Sequence, residues 1–102
     1  MYDVHMKLSF TWDAAKDRLN RKKHGVSFAE AATIFDNFPI AVFADPDHSV
    51  GEDRYIAVGV SRKERILLVV HCENDLGTEI RIISARKATR RERQTVFGGG
   101  RP

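Results

Sequence analysis

Apolar residues recur along the first third of the chain at helical spacing. Trp12, Ala15 and Leu19 fall at i, i+3 and i+7, Asp13 is a suitable N-cap and Gly25 a suitable C-terminal stop, so a first helix is predicted with that apolar stripe toward the core. Ser27-Phe28-Ala29-Glu30 reads as a capping box, in which Ser27 accepts from the Glu30 amide and Glu30 reaches back to the Ser27 amide. Phe28, Ala31, Ala32 and Phe35 then mark the buried face of a second helix that ends at Asn37 and Pro39. Beyond this point the period changes. Ile40 to Ala44, Arg54 to Val60, Ile66 to Cys72 and Glu79 to Ala85 are short runs of β-branched and apolar residues between turn-prone stretches, as strands are. Ser61 to Glu64 and Asn74 to Gly77 are short enough for hairpins, which predicts an antiparallel meander for the last three strands. Thr89-Arg90-Arg91-Glu92 is a second capping box and opens a short third helix.

The order is therefore two helices, four strands, one helix, and the expected fold is α+β: helices on one face of a four-stranded antiparallel sheet, the other face open to a substrate or partner. A chain of 102 residues with 42% hydrophobic content supports one core. The expected boundaries are an N-terminal extension over 1–7, the folded domain over 8–97 and a flexible glycine-rich tail over 98–102. The longest apolar stretch, Ile66 to Val70, falls far short of the roughly 20 residues of a membrane-spanning helix, and nothing reads as a signal peptide, so a cytoplasmic protein without a membrane partner is expected. The single cysteine, Cys72, lies in an apolar run and reads as core.

Charge alters this picture through its distribution. The net charge is only +3, yet Arg86, Lys87, Arg90, Arg91 and Arg93 cluster with Glu92 as the one acid among them, and Arg18, Arg21, Lys22, Lys23 and His24 form a second group. Such patches suit a polyanion, and equally a solvated helix face.

Three segments carry a specific pattern. Trp12 to Gly25 spells W-D-x-x-K-x-x-x-N-x-x-K-H-G and is followed by Phe28; Arg54-Tyr55-Ile56-Ala57-Val58-Gly59 comes next; Arg81-Ile82-Ile83-Ser84-Ala85-Arg86 leads to Glu92-Arg93. In this order the chain resembles the BrnT toxins of type II toxin–antitoxin systems, from about Lys7 to about Gln94. The resemblance implies a RelE-like fold and an endoribonuclease that works without a metal or other cofactor and slows translation and growth. It also implies a BrnA-type antitoxin, in a complex of two toxins with two antitoxins that reaches DNA only through the antitoxin. One departure is visible: members of this kind often carry a Tyr after the Glu-Arg of the last helix, where this chain has Thr95, Val96 and Phe97.

Cleaving RNA without a metal requires a base for the 2′-hydroxyl, cations for the phosphorane and an acid for the departing 5′-oxygen. His24, whose type titrates near neutrality, is the first candidate for acid or base; capping the end of the first helix is its structural alternative. Glu52 is a second candidate base, or a plain surface acid. Arg54 and Arg86 suit bidentate phosphate binding, or an ion pair with Glu52 or Glu92. Simple alternation puts Arg54 with Ile56 and Val58, Arg86 with Ile82 and Ser84, and Arg81 on the other face with Glu79, Ile83 and Ala85. Lys16, Asn20 and Lys23 form a polar stripe on the first helix fit to track phosphates, Tyr55 can stack on a base or pack in the sheet, and Arg81, Arg90 and Arg91 complete the expected RNA contacts. No His, Cys or Asp spacing reads as a metal site. A non-catalytic RNA-binding or regulatory module acting within a DNA-bound complex is the alternative function, and the Arg86 to Arg93 cluster fits an antitoxin as well as RNA.

Overall fold

The computed structural model describes residues 7–46 and 53–98. Among them the order is β1 (Ser9–Thr11), α1 (Ala14–His24), α2 (Phe28–Ala32) continued by a 3₁₀ turn (Thr33–Asp36), β2 (Ile40–Ala44), β3 (Arg54–Val60), β4 (Ile66–Glu73), β5 (Glu79–Lys87) and α3 (Arg90–Phe97). The strands form one sheet in the order β1-β5-β4-β3-β2. The α+β class and the meander β3-β4-β5 agree with the sequence reading, but the sheet is five-stranded and mixed, because β1 pairs parallel with β5 through Ser9, Phe10 and Thr11. Three residues are too few to show a period, so β1 has no signature in sequence. The expected extension and tail lie almost wholly outside the described residues.

One face of the sheet packs on α2 and its 3₁₀ continuation. Val26, Phe28, Ala31 and Ile34 meet Ala57, Leu67, Val69, Ile80, Ile82 and Ala85. The 3₁₀ turn rotates the buried stripe from the expected Phe35 toward Ile34, and it comes so close to the sheet that a Cβ at Gly59 would lie 3.3 Å from Ile34 and Ile40. On the opposite face α3 covers β3 and β2, over buried Val58 and Leu68.

The orientation of α1 departs from expectation. Its apolar residues face outward: Leu19 is 66% exposed and Ala15 is exposed, while Trp12 just before the helix sets its ring edge-on to Phe28. What faces inward is Asn20, 7% exposed, whose Nδ2 donates to the carbonyls of Val26 and Ala85, both at 2.8 Å, while its Oδ1 accepts from the Ala85 amide at 3.2 Å. The side-chain amide thus stands in for a neighbouring strand where β1 has ended, satisfying an edge that β5 would otherwise leave open. Asp17 helps by accepting from the Phe28 amide at 2.8 Å. Polar docking of this kind outweighs the weak apolar stripe, because buried backbone groups left unpaired cost more than one exposed leucine.

The capping box at Ser27 is half formed. Ser27 accepts from the Glu30 amide at 3.0 Å, but the Glu30 carboxylate turns to Arg65, whose Nε lies 2.9 Å away and whose Nη2 also donates to it, and to the Ser61 hydroxyl at 2.7 Å. This ties α2 to the β3-β4 hairpin. The box at Thr89 is complete.

Two predictions follow from these contacts. Asn20→Ala strands three backbone groups and lowers unfolding free energy by about 2–4 kcal/mol in urea melts, whereas Leu19→Ala changes it by less than about 0.5 kcal/mol. The guanidinium of Arg65, followed by the Ser61 hydroxyl, holds the Glu30 carboxyl below its ordinary 4.5. A depressed carboxyl stabilises fully above the unfolded-state value, so this contribution is lost as pH falls below about 4.5. Glu30→Gln should therefore be less stable than the parent at neutral pH and show a shallower acid decline in melts across pH.

Candidate RNA-cleaving face

The antiparallel register decides which side chains share a surface. Residues of β4 and β5 pair in step from Leu67 with Lys87 to Val70 with Ser84, but His71 pairs with Ile82. Ile83 is therefore an extra residue, a β-bulge, and alternation inverts across it. Ile82 points to the helix-covered core, while Arg81 joins Ser84 and Arg86 on the other face. The expectations that Arg81 lies on the opposite face from Arg86, and that Ile82 accompanies Arg86, are both corrected by this one residue. On the same surface Arg54 pairs with Cys72 and Cys72 with Arg81, so one cross-strand row runs Arg54, Cys72, Arg81. The guanidinium groups flank a half-buried thiol that sequence reasoning had assigned to the core; Arg81 Nη2 lies 3.8 Å from its Sγ.

Arg86 takes the ion pair that was weighed against a phosphate role. Its Nη1 and Nη2 each donate to a Glu92 carboxylate oxygen at 2.8 Å, and Nη1 also donates to the Lys87 carbonyl at 3.2 Å. The pair is not deeply buried, with side chains 40% and 27% exposed. Arg86 chiefly, with the Thr89 backbone, holds the Glu92 carboxyl down at about 2, so Glu92 stays charged and fixes the guanidinium plane. Glu92 occupies the Nη1–Nη2 edge and the Lys87 carbonyl the remaining Nη1 hydrogen. The Nε edge makes no hydrogen bond among the described residues, which leaves a bidentate donor pair available beside the Glu92 contact.

Arg90 and Arg91 occupy the first turn of α3, exposed, where the helix dipole disfavours cations. Phe97, one of the three residues after Glu92-Arg93-Gln94 among which no Tyr occurs, closes an apolar hollow with Ile66, Arg90, Arg93 and Gln94.

A second surface adjoins the first. Lys16, Leu19, Asn20, Lys22, Lys23 and His24 of α1 form, with Ile83 and Ser84, a groove of about 450 Å³. The groove gathers His24 with the expected stripe of Lys16, Asn20 and Lys23, and the Asn20 amide there is committed to backbone groups of Val26 and Ala85. The alternative role of His24 as a cap is filled by other groups: the Gly25 amide closes the helix on the Arg21 carbonyl, and Arg65 takes the Gly25 carbonyl. Its imidazole has no hydrogen-bond partner among the described residues. Ser84, which sequence reasoning did not single out, belongs to both surfaces, lying on the arginine face and on the groove wall.

Tyr55 takes the second of its two expected roles, packing in the sheet. It pairs with His71 on the helix-covered face, with the rings 5.8 Å apart and stacked, so it cannot serve the face of its neighbour Arg54. His71 is itself buried, bonded through Nε2 to Glu73 at 2.8 Å and edge-on to Phe35. Glu52 lies outside the described residues. Among those described, no three His, Cys, Asp or Glu side chains come together as a metal site would require, and no helix is long and apolar enough to cross a membrane.

Comparison with known proteins bears on this arrangement. The family described as "Ribonuclease toxin, BrnT, of type II toxin-antitoxin system" matches residues 12–92, which takes in the W-D to K-H-G segment, both arginine-bearing strands and the start of α3. The crystal structure of the Brucella abortus ribonuclease toxin BrnT superposes with a TM-score of 0.59 at 23% identity, covering 82% of this chain and 100% of that one, and so shares its fold. Among curated protein sequences none matches the chain. With the family matched over most of its length, including the segments that build both surfaces, the chain belongs to the BrnT family of ribonuclease toxins of type II toxin–antitoxin systems.

Proposed function

We propose that the chain is a metal-independent endoribonuclease that cleaves RNA in the cytoplasm, inhibits translation and growth, and is neutralised by a BrnA-type antitoxin. The toxin and antitoxin assemble two to two, with DNA reached through the antitoxin. The observation that carries the ribonuclease reading is the bulge at Ile83: it sets Arg81 on one face with Arg54 and Arg86 and puts Ser84 between that face and the groove of His24.

In this reading the scissile phosphate lies beside Ser84. Arg86 binds it through the guanidinium edge that Glu92 leaves open, and Glu92 acts as a positioning residue. The row of Arg54 and Arg81, about 10 Å apart as two strand spacings require, holds a neighbouring phosphate. The 2′-hydroxyl loses its proton to a base, the 2′-oxygen attacks phosphorus, and the bond to the 5′-oxygen breaks as that oxygen takes a proton. The products are a 2′,3′-cyclic phosphate and a 5′-hydroxyl. Arginines stay protonated throughout and stabilise the phosphorane, and His24 is the residue suited to exchange the proton. Lys16, Lys23, Arg90 and Arg91 extend the cationic track on either side. Arg90 and Arg91 are exposed where they do not help their own helix, which supports a role in binding.

Expression of the chain in a bacterium, alone and with its antitoxin, tests the reading. Growth arrest with RNA loss is expected for the parent, with rescue by the antitoxin. His24→Ala and Arg86→Ala should each lower cleavage by about 100-fold or more, the range for loss of a proton-transfer group or a transition-state donor. Intact RNA and normal growth with soluble parent protein would contradict it. Toxicity without cleavage, unchanged in the His24→Ala variant, would favour a non-catalytic RNA-binding module.

A further inference from the structure

The groove between α1 and β5 has more chemistry than phosphate tracking requires. Its aliphatic lining comes from Leu19, which an ordinary amphipathic helix would bury, and from Ile83, which the bulge releases from strand alternation. Its rim carries Lys16, Lys22 and Lys23, none with an ion-pair or hydrogen-bond partner of its side chain among the described residues. Ser84 also lines it. Aliphatic and cationic side chains lining one groove match a nucleotide, which has a flat, largely apolar base beside an anionic phosphate. A volume of about 450 Å³ lies within the range of small-ligand sites. An acidic protein segment would also answer the lysines. RNA is favoured because the groove meets the face of Arg81 and Arg86 at Ser84, so a strand of phosphates crossing that face enters the groove without leaving cationic surface.

We propose that this groove is a base-binding subsite, in which one unstacked base of single-stranded RNA packs against Leu19 and Ile83 while Lys16 and Lys23 hold the flanking phosphates. The proposal rests on the ribonuclease reading above and adds to it a substrate class: RNA whose base next to the scissile phosphate is unpaired. A base held in a duplex cannot enter without being extruded, so paired RNA is a poor substrate. Leu19 is the specificity-determining residue, because it contributes apolar surface to the groove and little to the core.

The test uses the full chain and a labelled 2′-O-methyl RNA decamer, which binds but lacks the attacking hydroxyl, followed by fluorescence anisotropy as a single strand and as a duplex. The parent should bind the single strand more tightly. Leu19→Ser should weaken single-strand binding about tenfold, as loss of most of one leucine's apolar contact with a base would, and bring it near the duplex affinity with the salt slope unchanged. Lys16→Gln should instead lower the slope of log affinity against log salt by about 0.7. Equal single-strand affinity for parent and Leu19→Ser would overturn the subsite while leaving the arginine face intact. Antitoxin binding lost in Leu19→Ser with RNA affinity retained would also overturn it, and would assign the groove to the partner protein. No RNA binding by the parent at all would overturn the ribonuclease reading together with the subsite.

Discussion

One extra residue in β5, Ile83, sets the geometry on which both candidate surfaces depend. From Lys87 back to Ser84 the strand pairs with β4 in strict alternation; on the other side of the bulge, from Ile82 to Ile80, every side chain has changed face. Ile82 and Ile80 thereby reach the core, and Arg81 is carried out of it. Without the inversion the same sequence would bury a guanidinium beneath α2 and expose two isoleucines. The bulge also lies beside the point where β1 stops covering β5, and there Asn20 takes over the Ala85 amide and carbonyl. Docking of α1 by an amide instead of an apolar ridge is what turns Leu19, Lys16 and Lys23 outward and forms the groove.

The charges are organised by the same scaffold. Two carboxylates, Glu30 and Glu92, are each held ionised by one arginine, yet with different consequences. Glu30 is buried and binds Arg65 together with Ser61, an arrangement that joins helix to hairpin. Glu92 binds Arg86 at the surface through one guanidinium edge, so the arginine is oriented and still has donors for a ligand. A structural ion pair and a phosphate site are therefore compatible at Arg86. The sequence alternatives of one or the other were drawn too sharply, because arginine has five donors and a carboxylate takes only some of them.

What could be read in the sequence follows from what is local. Hairpins at Ser61 and Asn74, the helix ends at Asp13, Gly25 and Thr89, and the α+β class all depend on nearby residues and were legible. The parallel strand β1 was not, since its partner lies about seventy residues away and its three residues show no pattern. Neither the bulge nor the outward face of α1 could be found from periodicity, because each is decided by a long-range backbone hydrogen bond or register. At the candidate site, Arg54 and Arg86 were put on strands that do share a face, and Lys16, Lys23 and His24 do share a groove with Asn20. Tyr55 is different: adjacent strand residues point to opposite faces, so its separation from Arg54 was available from alternation alone. Ser84 had no signal of its own, as an ordinary serine in a strand has none until the register is known.

The most direct test of this account is the salt dependence of RNA binding by Arg81→Gln, because the bulge decides the face on which Arg81 lies. If Arg81 joins Arg54 and Arg86 in holding RNA, the slope of log affinity against log salt falls by about 0.7 relative to the parent. An unchanged slope and affinity in a folded Arg81→Gln protein would contradict the arginine face as the RNA-binding surface.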